Sequence, residues 1–262
     1  METNRTYKAN LQRTGALVNE TITLLKEYAR LGEWNPVREA ALHTSLLGKG
    51  ATKTVLEILK VVRRRLLIDR PGLPPIGCLA PAVTRDWPET AKIQVLLPYT
   101  CAEDALVDVA IRELVTARLR SNSSPKLTPA LFTAFLDEEV EAHPEVGGWS
   151  ETVYERWLSS FRSLLRAHGF MERHPSLRLT RPVVRVEAFA FHAMGLKQAG
   201  IPTVELLVHP RWELYALKDR DKETLLTEGQ ARGWWDYARV GDIVRLQMRH
   251  ETVEDWLDAT LG

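Results

Sequence analysis

Between Ser150 and His168 the apolar residues Val153, Trp157, Phe161, Leu164 and Leu165 recur at steps of one, three and four. This is the period of an α-helix that turns one face to a core. Ser150 stands where a cap is wanted and Gly169 where a left-handed residue ends the helix. The same pattern marks 52–67, where Thr52 is read as the cap and Val55, Leu59, Val62 and Leu66 form the stripe. Asn19 is read as the cap of a helix to about Arg30 that Gly32 ends, and Pro36 opens another to Leu47. Helical stripes of this kind must pack on one another, so the chain is read as mainly α, a helical bundle.

Further along, Asp86 and Pro88 open a helix to about Leu97, and the chain is helical again over 102–120. Residues 121–126 (SNSSPK) are a polar loop. Thr128-Pro129 starts a helix to about Ala142, and 143–148 is a turn. Segments 171–173 and 176–179 are expected to pair as a small hairpin after the 150–168 helix. Helix, short turn, helix and hairpin is the order of a winged helix-turn-helix. Residues 186–199 are helical. Segments 234–239 and 243–249 pair around Gly241-Asp242 as a small C-terminal β-hairpin, and a last helix spans 251–261. Four prolines and two glycines in RPGLPPIGCLAP (70–81) read as a linker. The expected organisation is therefore 1–70, helical and helix-turn-helix-like; 71–85, a Pro/Gly linker; 86–185, helical with a winged helix-turn-helix; and 186–262, α+β. The fold reading is a helical bundle with two helix-turn-helix-like units, the second winged.

The net charge is +1, but it is segregated. Residues 1–85 carry a balance of +7, 86–149 of −6, 150–185 of +4 and 186–262 of −4. Each basic block holds a helix that follows a glycine turn. In register, 52–67 and 150–165 share six of sixteen residues, among them Glu57/Glu155 and Arg64/Arg162. Basic blocks of this kind favour a phosphate-bearing partner. The expected contacts are Lys49, Lys53, Lys60, Arg63, Arg64 and Arg65 on the first helix. On the second they are Ser150, Thr152, Arg156, Ser159, Arg162 and Arg166, with Arg173, Arg178 and Arg181 (and Arg185) on the wing. Small hydroxyls let phosphate approach, and arginines fork onto phosphate or guanine. A cationic last turn that complements the helix dipole is the other explanation for Arg63–Arg65. If both helices grip one duplex, they share a face.

Other chemistry finds little support. Gly48–Thr54 lacks the GxxxxGK[ST] spacing of a phosphate loop. The seven histidines form neither HExxH nor a Cys/His metal spacing, and two cysteines make no disulfide framework. Asp137, Glu138, Glu139 and Glu141 read as a solvated face. No GxSxG occurs, so no catalytic residue, metal or cofactor is expected. Trp234-Trp235 is read as core packing. No apolar run of about 18 residues and no secretory h-region is present, which gives a cytoplasmic expectation with no membrane partner. The oligomeric state is left open.

The chain also resembles a known family. The segments YKANLQRTGALVNETITLLKEYARLGEW and LLGKGATKTVLEILKVVRRRLL are similar to the N-terminal half of the BrxA proteins of BREX phage-defence systems. LLPYTCAEDALVDVAIRELVTARLR and LTPALFTAFLDEEVEAHPEVGGWSETVYERWLSSFRSLLRAHGFME are similar to the central part, and GWWDYARVGDIVRLQMRHETVEDWLDATLG to the end. The resemblance implies a mostly helical, non-enzymatic BREX component with helix-turn-helix character that binds double-stranded DNA. It supplies no catalytic residue. Two other readings stay open: a scaffold that docks other BREX proteins, and an RNA-binding helical protein of antitermination type.

Overall fold

In the computed structural model, residues 6–121, 125–241 and 243–260 are described. The helices run in chain order as α1 (Leu11–Thr14), α2 (Val18–Leu31), α3 (Trp34–His43), α4 (Thr52–Leu66), α5 (Ile76–Thr84), α6 (Glu89–Gln94), α7 (Leu97–Glu103) and α8 (Ala105–Val109). A π-helical stretch (Ala110–Thr116) joins α8 to α9 (Ala117–Ser121). There follow α10 (Pro129–Glu139), α11 (Pro144–Gly147), α12 (Glu151–Ala167), α13 (Val186–Gln198) and α14 (Thr203–Leu206). After a 3₁₀ turn (Pro210–Tyr215) come α15 (Asp219–Ala231), the antiparallel strands β1 (Trp235–Val240) and β2 (Ile243–Met248), and α16 (Val253–Ala259). The fold is mainly α with a C-terminal hairpin, as the helical stripes require.

The chain forms two compact units that interleave in sequence. The first gathers the described residues of Met1–Val18, Leu97–Val183 and Glu213–Ala216; the second gathers those of Asn19–Leu96, Val184–Trp212 and Leu217–Gly262. Consecutive segments would have kept 86–185 together, whereas α6 falls with α13 instead.

In the first unit, the core is aromatic. Trp157 of α12 stacks on Phe132 of α10 at 5.0 Å and on Phe161 at 4.9 Å. α12 ends as its glycine predicts: Gly169 has φ +80°, the Phe170 amide donates to Leu165 O, and the Gly169 amide donates to Arg166 O. The expected hairpin forms as a Met171–Leu179 bridge, with the Glu172 amide donating to Arg178 O. A third extended segment joins it, because Lys126 bridges Arg178, the Leu127 amide donates to Leu177 O and the Leu179 amide to Pro125 O. The three short segments are thus ordered 125–127, 177–179, 170–172. At the start of α10 the Thr128 hydroxyl accepts from the Leu131 amide, as a cap should.

In the second unit, α13 is buried on all sides from Val186 to Leu196, a stretch that is apolar apart from Glu187 and His192. Phe189 packs on Trp212 at 4.5 Å, and wholly buried Trp235 donates its indole N–H to Leu226 O.

Three expectations are corrected. The 71–85 linker contains α5, whose Cys78, Leu79, Ala80, Ala82 and Val83 are buried. Prolines at 71, 74 and 75 do break the chain, but the apolar run after them is core material. Thr52 begins α4 and does not cap it; Ala51 holds the cap position without a side-chain bond. Asn19 is likewise inside α2, and Ser150 keeps the cap position although its hydroxyl makes no cap bond. The 121–126 loop and the Gly241-Asp242 turn fall partly outside the described residues.

Candidate nucleic-acid interface

The inner face of α12 buries Trp157, Leu158, Phe161, Leu164 and Leu165. At 100° per residue, Thr152, Arg156, Ser159, Ser163 and Arg166 then fall within an arc of roughly 80° on the opposite side. All but half-buried Arg166 are exposed. Ser150, also exposed, lies at the helix mouth. Arg156 reaches solvent with no ion pair among the described residues. Arg162 and Arg166 are more constrained. Arg162 Nη2 donates to Leu127 O at 2.8 Å, and Arg166 donates from Nε to Glu172 O at 3.2 Å and from Nη2 to Ser176 O at 3.1 Å. These guanidiniums tie α12 to the extended segments. Desolvation, and then the neighbouring charge of Arg166, pull the Arg162 guanidinium below its ordinary pKa. An anion placed between the two relieves that repulsion.

On the extended segments, Arg173 is exposed, Arg178 meets Glu172 at 3.4 Å, and Arg181 donates to Leu119 O at 2.7 Å. The sequence reading missed Lys126. It is exposed and sits directly opposite Arg178, and like charges in that position destabilise a strand pair. Only the pairing reveals this, because the two residues are 52 apart in the chain. Arg185 is a correction to the wing assignment. It belongs to the second unit, where its amide donates to Gln94 Oε1 and its Nε to Thr90 Oγ1.

The first basic helix, α4, is in the second unit, so the two proposed contact helices are carried by different units. Lys53, Lys60 and Arg63 are exposed. Lys49 is partly neutralised by Glu20 at 2.8 Å. Arg64 is half-buried. Arg65 is a second correction: it is only 4% exposed, because it faces inward with Val61, Val62 and Leu66, and phosphate cannot reach it. The carbonyls of Arg64 and Arg65 accept from the Arg70 guanidinium, which caps the negative end of the helix.

Elsewhere, Tyr7 ties the N-terminal segment to the α10–α11 corner. Its hydroxyl donates to Glu139 Oε2 at 2.7 Å, its amide donates to Glu145 Oε1 at 2.6 Å, and its ring stacks on His143 at 3.6 Å. Burial first, and then the Glu139 carboxylate, drive the phenol well above its ordinary range. The sequence carried no sign of this, because its partners lie more than 130 residues away. Asp137, Glu138 and Glu141 are exposed, which fits a solvated face, whereas Glu139 is half-buried and taken up by the Tyr7 hydroxyl. Trp234 and Trp235 are both buried, as expected of core packing. Among the described residues no His/Cys/Asp/Glu group has metal-site geometry, and no helix is long and apolar enough to cross a membrane.

A family model described as BrxA matches residues 5–193, and so excludes the closing 233–262 segment. A solved structure, an uncharacterized protein from Magnetospirillum magneticum, aligns with TM-score 0.58 and 16% identity. It covers 75% of this chain and 97% of its own, and at that identity the likeness concerns the fold. No curated protein matches the sequence. The family match takes in well over half of the chain, which belongs to the BrxA family and has the BREX-related role that goes with it.

Proposed function

We propose that this chain is a non-enzymatic, double-stranded-DNA-binding component of a BREX phage-defence system, and that its first unit is a winged helix-turn-helix. The segment order 125–127, α10, α12, 170–172, 177–179, with 177–179 central, supports the winged reading. α12 is then the recognition helix. One observation carries the DNA reading. The α12 stripe of Thr152, Arg156, Ser159, Ser163 and Arg166, together with Arg162 and the opposed Lys126–Arg178 pair, concentrates cations and small hydroxyls on exposed elements. Arg162 and Arg166 position the wing, while Arg156, Arg173 and Lys126 are the freest to reach phosphate. On α4, Lys53, Lys60 and Arg64 form a second basic stripe, on the other unit.

The test is duplex binding measured at increasing salt, with duplex RNA and single strands as competitors. A steep fall in affinity with salt is expected, together with a preference for duplex DNA. Replacing Arg156, Arg162 and Arg166 together by Ala lowers affinity by at least tenfold. Unchanged affinity overturns the assignment to α12.

A further inference from the structure

The second unit holds a groove that the DNA reading does not use. It lies where the ends of α5 and α15 meet the first turn of α13, and has a volume of about 580 Å³. Its lining includes Arg85, Asp86, Trp87, Glu187, Arg232 and Trp234. The volume is in the range of small-molecule sites.

The lining has three distinct parts. Trp87, half-buried, offers an indole backed by Trp256 at 5.8 Å, and Trp234 packs on Trp256 from another side at 5.2 Å. Glu187 is a nearly fully buried carboxylate. One of its oxygens accepts from Arg232 Nη1 at 2.8 Å; the other makes no hydrogen bond among the described residues. Arg232 lies over the Trp234 ring at 5.1 Å and also holds Glu228, so its charge is engaged. Arg85 is different: its Nε is shut off from solvent and has no hydrogen-bond partner among the described residues. The outer nitrogens of Arg85 make no hydrogen bond among the described residues either and are not shut off from solvent, so they are the donors that an oxyanion in the groove can reach.

A planar ring to cover Trp87, N–H donors for Glu187 and an anion for Arg85 describe one ligand chemistry. We propose that this groove binds a guanine mononucleotide, with the base stacked on Trp87, its N1–H and amino group donating to Glu187, and its phosphate on Arg85. Adenine would turn a ring-nitrogen acceptor toward the carboxylate. Asp86, Glu187, the Glu228 held by Arg232 and Asp258, whose charge acts on Arg85, outnumber the two arginines, so the groove suits one phosphate better than three.

The experiment is calorimetric titration of the full chain with GMP, AMP and ribose 5-phosphate. Saturable one-to-one binding of GMP is expected, with AMP and ribose 5-phosphate weaker by about tenfold or more. Trp87→Ala and Arg85→Gln each weaken GMP about tenfold, and a cooperative ligand-free melt above the titration temperature shows that each variant is folded. The Arg156/Arg162/Arg166 triple variant binds GMP as the parent does, which separates this site from the DNA reading. Absence of saturable GMP binding, AMP or ribose 5-phosphate binding as tightly as GMP, or folded Trp87 and Arg85 variants that bind normally would overturn the proposal.

Discussion

Arg166 and Arg156 lie on the same exposed side of α12 but differ in what holds them, and the difference can be measured. Arg166 spans two carbonyls, Glu172 O and Ser176 O, at either end of the loop between 170–172 and 177–179. A hydrogen bond from a charged donor contributes about 1.5–3 kcal/mol, and these groups are only part-buried. One guanidinium makes both bonds, so they do not add fully, and Arg166→Ala should lose about 2 kcal/mol. At roughly 2–4 °C per kcal/mol for a domain of this size, the melting temperature falls by about 4–8 °C. Arg156 has no such bond, and Arg156→Ala stays within about 0.5 kcal/mol of the parent. On duplex DNA each variant loses one cation, so the slope of log K against log salt becomes shallower by about 0.9 where that cation met a phosphate. Thermal melting combined with anisotropy at about 50–200 mM salt reads both quantities. If Arg166→Ala melts within about 1 °C of Arg156→Ala, the guanidinium does not hold the 172–176 loop and the reasoning fails.

Two further outcomes concern the second unit. A Cβ at Gly229 would overlap the Trp235 ring, which is held by its indole bond to Leu226 O and faced by Phe189 at 6.2 Å. Gly229→Ala should therefore destabilise by about 1–3 kcal/mol in a denaturant melt, and an unchanged midpoint would mean that the ring can retreat. His192 is fully buried. Desolvation first, then the charge of Arg211, hold its pKa well below 6.5, so the folded chain keeps it neutral while the unfolded chain protonates near that value. The sign follows: stability is full above about pH 6.5 and falls below it, by up to about 1.4 kcal/mol per pH unit from this group. His192→Gln should flatten that part of the pH–stability curve. An equally steep curve in the variant would assign the slope to other groups.

Much of the helical architecture was legible because it is local. The stripe, cap position and left-handed glycine of α12 are set within twenty residues, and so are α13 and the Trp235–Met248 hairpin. The 71–85 segment misled because proline and glycine density reports where a chain turns but not whether the next apolar run is buried. The exposed α12 stripe was read nearly complete from the 3.6-residue period. Arg65 was not, because three consecutive arginines on a helix point in three directions and only packing decides which one turns inward. Lys126, Tyr7 and the Arg85–Glu187 groove had no sequence signal, since each depends on partners 50 or more residues away.

By itself, then, the sequence determined the helices, the faces they bury and the segregation of charge into blocks. Tertiary structure alone decided the interleaving of the two units, with α4 in one and α12 in the other. It also decided which arginines anchor the extended segments 125–127 and 170–179 and which reach solvent without an ion pair among the described residues. The physical reason is range. Periodicity and capping act over a few residues, whereas a guanidinium is committed by whichever carbonyl or carboxylate the folded chain brings within about 3 Å of it.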